Sequence, residues 1–250
     1  MPFRLLCITA HPDDESGGFG GALLMAHRDG VETSLLCLTD GQAAHFRGGV
    51  EDNAELGRKR RAELAAACDL LAVTRCEVLH YPDGELAQQN FYELAGVIAA
   101  RIRTWRPQVV LTFGGDGSVN LHRDHTVVSV AATAAFHWAG RPEFFPEQNL
   151  ATYVPQKLYY SGTPFVSVRD RPELSGVPTV PYSLSLELGE ELSRLKWEAF
   201  GKHSSQGGVM NRVKDEIAAH FSTERYLLAA AKGQISVTAD AVLFAGVTAD

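Results

Sequence analysis

The sequence predicts an α/β domain in which a mostly parallel sheet carries helices on both faces. Apolar, strand-like runs alternate with segments of helical period from the amino terminus to about residue 138, the signature of repeated β-α-β units. Two of these runs lead into clusters of ionisable residues, and the carboxyl edge of an open parallel sheet is where ligands bind. The chain has 250 residues, 45% apolar and 21% charged, enough to bury roughly three quarters of its unfolded surface. No internal repeat or linker divides it, so residues 1–250 are read as a single domain.

Residues 3–10, Phe-Arg-Leu-Leu-Cys-Ile-Thr-Ala, read as the first strand, and 15–28, with Phe19 and Leu23 four apart, as the helix after it. Residues 32–39 supply a second strand and 52–71 a second helix with Leu56 and Leu64 on one face. A third strand is expected over 76–80. The helix over 91–105 has Leu94, Ile98 and Ile102 at four-residue spacing, and the fourth strand is Val-Val-Leu-Thr-Phe at 109–113. A helix follows over 124–138. The texture then changes, because seven of the eleven prolines fall between Pro142 and Pro181; this stretch should be irregular, with one strand at 157–160. Helical period returns over 186–203 and again over 209–220. The architecture expected is Rossmann-like.

A formal net charge of -7 opposes binding of nucleic acid or an acidic bilayer. The basic run 58–61 lies among Glu51, Asp52, Glu55 and Glu63 and reads as a solvated helix face. The longest mostly apolar stretch, 126–139, carries His137 and falls short of the ~18 residues of a membrane span. With no secretory signal in view, a soluble, cytoplasmic protein is expected. Cys7, Cys37, Cys68 and Cys76 show no Cys-x-x-Cys spacing and are expected as free thiols. The glycines at 17, 18, 20 and 21 fail the dinucleotide spacing and read as a site of close helix-to-sheet packing.

Three clusters carry chemistry. The first strand runs into Ala10-His11-Pro12-Asp13-Asp14-Glu15. His11 and Asp14, three apart across a turn stiffened by Pro12, can point into one cavity as ligands of a borderline divalent metal, leaving Asp13 free to act on water. A polar turn in which Asp13 or Asp14 caps the next helix is the alternative. The second cluster, His122-Arg123-Asp124-His125, follows the fourth strand and so lies at the same sheet edge. His125 can supply a third ligand, and three protein ligands leave a coordination position open, as catalytic zinc sites do. His27, His45, His137 and His220 read as ordinary core or surface residues. The third cluster, from Lys196 to His203-Ser204-Ser205-Gln206, has Lys196 and His203 on one helical face and by itself reads as structure.

Taken together, Ala-His-Pro-Asp-Asp-Glu at 10–15, His-x-Asp-His at 122–125 and His-x-Ser-Gln at 203–206 resemble the PIG-L/LmbE-like zinc-dependent de-N-acetylases, including the mycothiol and bacillithiol type. The resemblance implies one Zn2+ per chain, or another divalent metal, on His11, Asp14 and His125. It further implies Asp13 as general base and His122 as oxyanion stabiliser or proton donor, oriented by Asp124. Arg60, Asp83, Asn120 and His203 would bind substrate. From spacing alone, Arg60 could equally pair with Glu63 on its helix and Asp83 could be a turn residue. Some members carry a tyrosine where this chain has Asn120. The implied substrate is a small molecule containing N-acetylglucosamine, and a homo-oligomer is compatible. Two other readings are open: a different metal-dependent hydrolase, such as a thiol-sugar conjugate amidase or a phosphoesterase, and a non-catalytic sugar- or nucleotide-binding module.

Overall fold

Among the described residues, apolar runs buried on both faces form the centre of a seven-stranded sheet ordered β3-β2-β1-β4-β5-β7-β6. The computed structural model describes residues 2–118, 120–162, 182–209, 211, 221–233 and 242–249. The strands are β1 (Arg4–Thr9), β2 (Glu32–Thr39), β3 (Arg75–Tyr81), β4 (Val109–Phe113), β5 (Lys157–Ser161), β6 (Leu184–Glu187) and β7 (Thr223–Ala231). The pairings from β3 through β5 are parallel, whereas β7 runs antiparallel to both β5 and β6. The helices are α1 (Asp14–Arg28), α2 (Asn53–Leu70), α3 (Phe91–Trp105), α4 (Arg123–Trp138) and α5 (Gly189–Gly201). None of the described helices is long and apolar enough to cross a membrane.

The expected elements up to α4 form within a residue or two of their predicted bounds. Helix starts follow local chemistry: the Asp52 carboxylate accepts the Glu55 N–H to start α2, and the Asn90 side chain accepts from Tyr92 and Glu93 to start α3. The carboxyl-terminal part needs correction. Helical period was expected from residue 186, but Leu184–Glu187 is a strand, with Leu184 and Leu186 buried and Ser185 and Glu187 exposed. That is the period of two of a strand with one wet face. Strand β7 was not anticipated, because Thr-Glu-Arg-Tyr-Leu-Leu-Ala-Ala-Ala has an unremarkable local preference and becomes a strand by pairing on both sides. The helix expected over 209–220 and the proline-rich residues 163–181 lie almost wholly or wholly outside the described residues.

The first part of the proline-rich stretch is ordered by one side chain. Buried Arg103 on α3 donates to the carbonyls of Ala139, Arg141, Phe144 and Phe145 and to Gln148 Oε1. The glycines of α1 serve close packing, but mainly against α5 and its flank rather than against the sheet. A Cβ on Gly21 would stand 2.5 Å from Leu188, and one on Gly20 would stand 3.0 Å from Lys196. Cys7, Cys37 and Cys68 are buried, Cys76 is exposed, and all four are free thiols.

Candidate active site

Strand β1 pairs with β2 on one side and β4 on the other, so the chain leaves their carboxyl ends in opposite directions and opens a crevice there. The first motif leaves β1 at this point and the second follows β4. Pro12-Asp13 makes the turn, with Asp13 held at φ 117°, a region that a residue with a Cβ occupies only under constraint. Four hydrogen bonds constrain it. Asp13 N–H donates to Glu15 Oε2 at 2.9 Å, Gly17 N–H donates to Asp13 O at 2.9 Å, and Arg60 donates to Asp13 Oδ2 at 3.1 Å and to the Pro12 carbonyl.

The three residues expected as ligands converge. Asp14 Oδ1 lies 3.0 Å from His125 Nε2, His11 Nδ1 lies 3.5 Å from Asp14 Oδ2, and the two facing imidazole nitrogens are 3.3 Å apart. Their outer contacts define what they offer. His125 Nδ1 stands 3.2 and 3.1 Å from the carbonyls of Gly117 and Ser118, so it carries the hydrogen. His11 Nε2 faces Asp83 Oδ1 at 3.0 Å and Asp124 Oδ2 at 3.3 Å, so it carries one too. The inner nitrogens then present lone pairs to each other and to a carboxylate, a cluster of acceptors that needs a proton or a cation among them. Two imidazoles and a carboxylate suit a borderline divalent ion such as Zn2+. His11, His122 and His125 also offer nitrogens within 4.8 Å of one another, as do donors of His11, Asp83 and Asp124.

Around this cluster lies a cavity of about 280 Å³, just below the ~300–1,000 Å³ of small-molecule pockets. Asp13 lines it, and burial pushes its carboxyl up to about 6 against the pull of the Arg60 guanidinium. Asp14 moves the other way. Burial would raise it, but the His125 and His11 rings hold it well below the usual carboxylate range. His122 caps α4, its Nδ1 accepting the Asp124 backbone N–H at 3.2 Å, and burial together with the His11 and His125 rings holds it below the ordinary imidazole value.

Other expected residues take different partners. The Asp124 carboxylate was expected to orient His122. It instead accepts the N–H groups of Gly84 at 2.7 Å and Leu86 at 3.3 Å, because the first turn of α4 aims it at the turn following β3. Arg60 does not serve Glu63. It binds the Asp13 turn and the Gly41 carbonyl, and Glu63 accepts from Ser204 and Ser205. Asp83 lines the cavity and accepts the Ala43 N–H at 3.0 Å. Asn120 also lines it, its Oδ1 accepting the His122 N–H at 3.0 Å. His203 is fully buried just past the end of α5, bonded to Glu15 Oε1 at 2.7 Å and not on the cavity wall. Lys196 turns away to Glu224.

Sequence reasoning missed the outer wall. His45, read as ordinary, lines the cavity beside Phe46, Phe200 and Val209. No spacing signal marks this wall, which is assembled from the loop after β2, the last turn of α5 and the segment after it. Glu15 carried a signal as the fourth ionisable side chain of the first cluster.

Residues 6–136 match the PIG-L family, described as GlcNAc-PI de-N-acetylase. The chain is 28% identical over 178 residues to the mycothiol S-conjugate amidase of Streptomyces coelicolor, covering 63% of this chain and 60% of that protein. It is 30% identical over 174 residues to the diacetylchitobiose deacetylase of Thermococcus kodakarensis, covering 67% and 64%. The matches thus span about three fifths of these curated relatives. The solved structure of N,N'-diacetylchitobiose deacetylase from Pyrococcus horikoshii shares the fold, with a TM-score of 0.73 at 22% identity over 90% of this chain and 83% of that one. The family match takes in both the Ala-His-Pro-Asp-Asp-Glu turn and the His-x-Asp-His helix start that meet at the β1/β4 crevice, and the chain belongs to the PIG-L family.

Proposed function

We propose that the chain is a metal-dependent N-deacetylase that hydrolyses the acetamide of a small molecule containing N-acetylglucosamine. One observation carries the reading: the lone pairs of His11, Asp14 and His125 converge beside Asp13 at the wall of a cavity. The names of the relatives, an amidase of mycothiol conjugates and a deacetylase of diacetylchitobiose, support an amide as the bond cleaved. His11, Asp14 and His125 would hold one Zn2+, or another divalent ion with a taste for nitrogen and oxygen. When bound, such an ion supplies Lewis-acid polarisation of the carbonyl and a lowered pKa for water.

The chain's own residues do the rest. Asp13 takes a proton from the attacking water. Its fixed φ and the Arg60 contact aim the carboxylate at the cavity without waiting for substrate. His122 has its Nδ1 engaged as acceptor, so a neutral ring carries its hydrogen on Nε2 and can donate it to the developing oxyanion. As the C–N bond breaks, Asp13 returns its proton to the leaving amine, giving acetate and a free amino sugar. Asp83 and Asn120 on the cavity wall offer an acceptor and amide donors to sugar hydroxyls. We further propose a cytoplasmic setting, which the free thiols favour.

The test is acetate and primary-amine release from N-acetylglucosamine conjugates by the full chain, with chelator and after Zn2+ is restored. Release that stops with chelator and returns with Zn2+ supports the reading. No acetate from any such conjugate, by protein verified to hold metal, overturns it.

A further inference from the structure

We infer that the Asp124 carboxylate is a positioning residue for His11, fixing which ring nitrogen faces the metal and in what plane. The inference rests on the reading that His11, Asp14 and His125 hold a divalent cation, and it moves Asp124 from the His122 side of the site to the metal side.

An imidazole has two nitrogens, and only a nitrogen without a hydrogen can bind a metal. His11 could turn either one inward. What decides between them is the contact on the opposite nitrogen, since a carboxylate there demands N–H and leaves the other nitrogen as the ligand. Two carboxylates face His11 Nε2, Asp83 Oδ1 at 3.0 Å and Asp124 Oδ2 at 3.3 Å. They differ in freedom. Asp83 borders the cavity, where a substrate hydroxyl can compete for it. Asp124 is fully buried and pinned by the N–H groups of Gly84 and Leu86, so it cannot swing away when the cavity fills. Its place in the chain adds a second effect. Asp124 precedes His125 in α4, so one residue braces the ligand from β1 against the helix that brings the ligand following β4. Its hydrogen bond to His122 comes from the backbone N–H, to Nδ1 at 3.2 Å, and its carboxylate acts on that ring through space alone.

The experiment measures Zn2+ and Co2+ affinity of the full chain by competition with a chromophoric chelator. Asp124→Asn keeps the shape and one acceptor oxygen but loses the charge, and its affinity should fall by about 10- to 100-fold. Asp83→Asn should lose less. A merely structural role would lower the unfolding temperature of the metal-free protein and leave affinity alone. Affinity within about twofold of wild type in folded Asp124→Asn, against that 10- to 100-fold expectation, overturns the inference. So does an Asp124→Asn variant that binds metal normally and loses turnover as His122→Ala does, because the carboxylate would then serve His122. Where Asp124→Asn does not fold, nitrogen NMR of the His11 ring in the Zn2+-loaded wild type decides. Nε2 protonated with Nδ1 bound supports the inference, and Nε2 bound overturns it. Failure of the underlying reading looks different, since His11→Ala and His125→Ala would then leave metal affinity unchanged.

Discussion

Lys196→Met tests whether the packing of α1 on α5 depends on a buried charge pair. Lys196 Nζ stands 2.7 Å from Glu224 Oε1, with the two side chains 2% and 4% exposed. The same carboxylate accepts Gly21 N–H at 2.7 Å, Ala22 N–H at 2.8 Å and the Tyr226 hydroxyl at 2.7 Å. Phe221 lies under the ammonium, 4.4 Å from ring centroid to Nζ. Methionine reproduces the unbranched apolar stem of lysine without the terminal nitrogen, so the substitution removes the cation and little packing. Breaking a buried pair by removing one partner costs ~3–5 kcal/mol. Three donors remain on the carboxylate here, which favours the lower end, about 3 kcal/mol. For a chain of this size that corresponds to a fall of roughly 6–12 °C in the unfolding temperature. Urea and thermal unfolding of the metal-free protein measure it, with far-UV circular dichroism to verify the native fold. A loss below about 1 kcal/mol, the range of an exposed ion pair, would refute the reasoning and mean that water reaches the pair.

Asp13→Asn should retain metal at wild-type stoichiometry and lose about 10²- to 10⁴-fold in acetate release, the usual contribution of a general base; loss of metal would show instead that Asp13 holds the ion. Arg103→Met should destabilise the chain by about 2–4 kcal/mol, because its guanidinium bonds five oxygens of the 139–148 segment and charged hydrogen bonds are worth ~1.5–3 kcal/mol each, with water reaching some of the freed carbonyls. A shift in urea midpoint with unchanged slope checks it.

The parts of the fold legible in the sequence are those where local pattern and final environment coincide. Strands β1, β2 and β4 each carry an apolar run and are buried nearly throughout because they lie inside a parallel sheet, and the apolar spacing of α3 matches the face it buries. The first motif was readable because His11 and Asp14 are three residues apart, so their meeting depends on one turn. Other features depend on packing between distant elements. Asp124 meets His11 across 113 positions, and nothing near residue 124 states that its carboxylate will find the turn following β3 rather than its neighbour His122. Arg60 and Glu63 have the spacing of a helix pair, yet α2 approaches the Asp13 turn and the Ser204–Gln206 turn closely enough for each to find a better partner there. Strand β7 is the extreme case, since it follows from edges that exist only after β5 and β6 are in place.

Glu15 shows how far the first motif extends beyond the metal. Its carboxylate holds the Asp13 N–H with one oxygen and His203 with the other, so the strained turn at Asp13 is braced by a buried ion pair. Burial opposes charge on both partners. Their mutual attraction outweighs it, raising His203 above 6.5 and lowering Glu15 below 4.5. By linkage, the His203 contribution is fully present below pH 6.5 and is lost as pH rises through the raised value. The Glu15 contribution is present above pH 4.5 and is lost as pH falls through the lowered value. The pair therefore stabilises most between these limits. Asp13, its carboxyl pushed up to about 6, titrates mostly below this interval and is present in both proteins compared. Metal-free wild type should lose stability from pH 6.5 toward pH 9, and Glu15→Gln, which removes the charge that raises His203, should flatten that slope. Thermal melts of both proteins across the interval decide it, and parallel slopes would mean that His203 is neutral in the fold and the turn is held by hydrogen bonds alone.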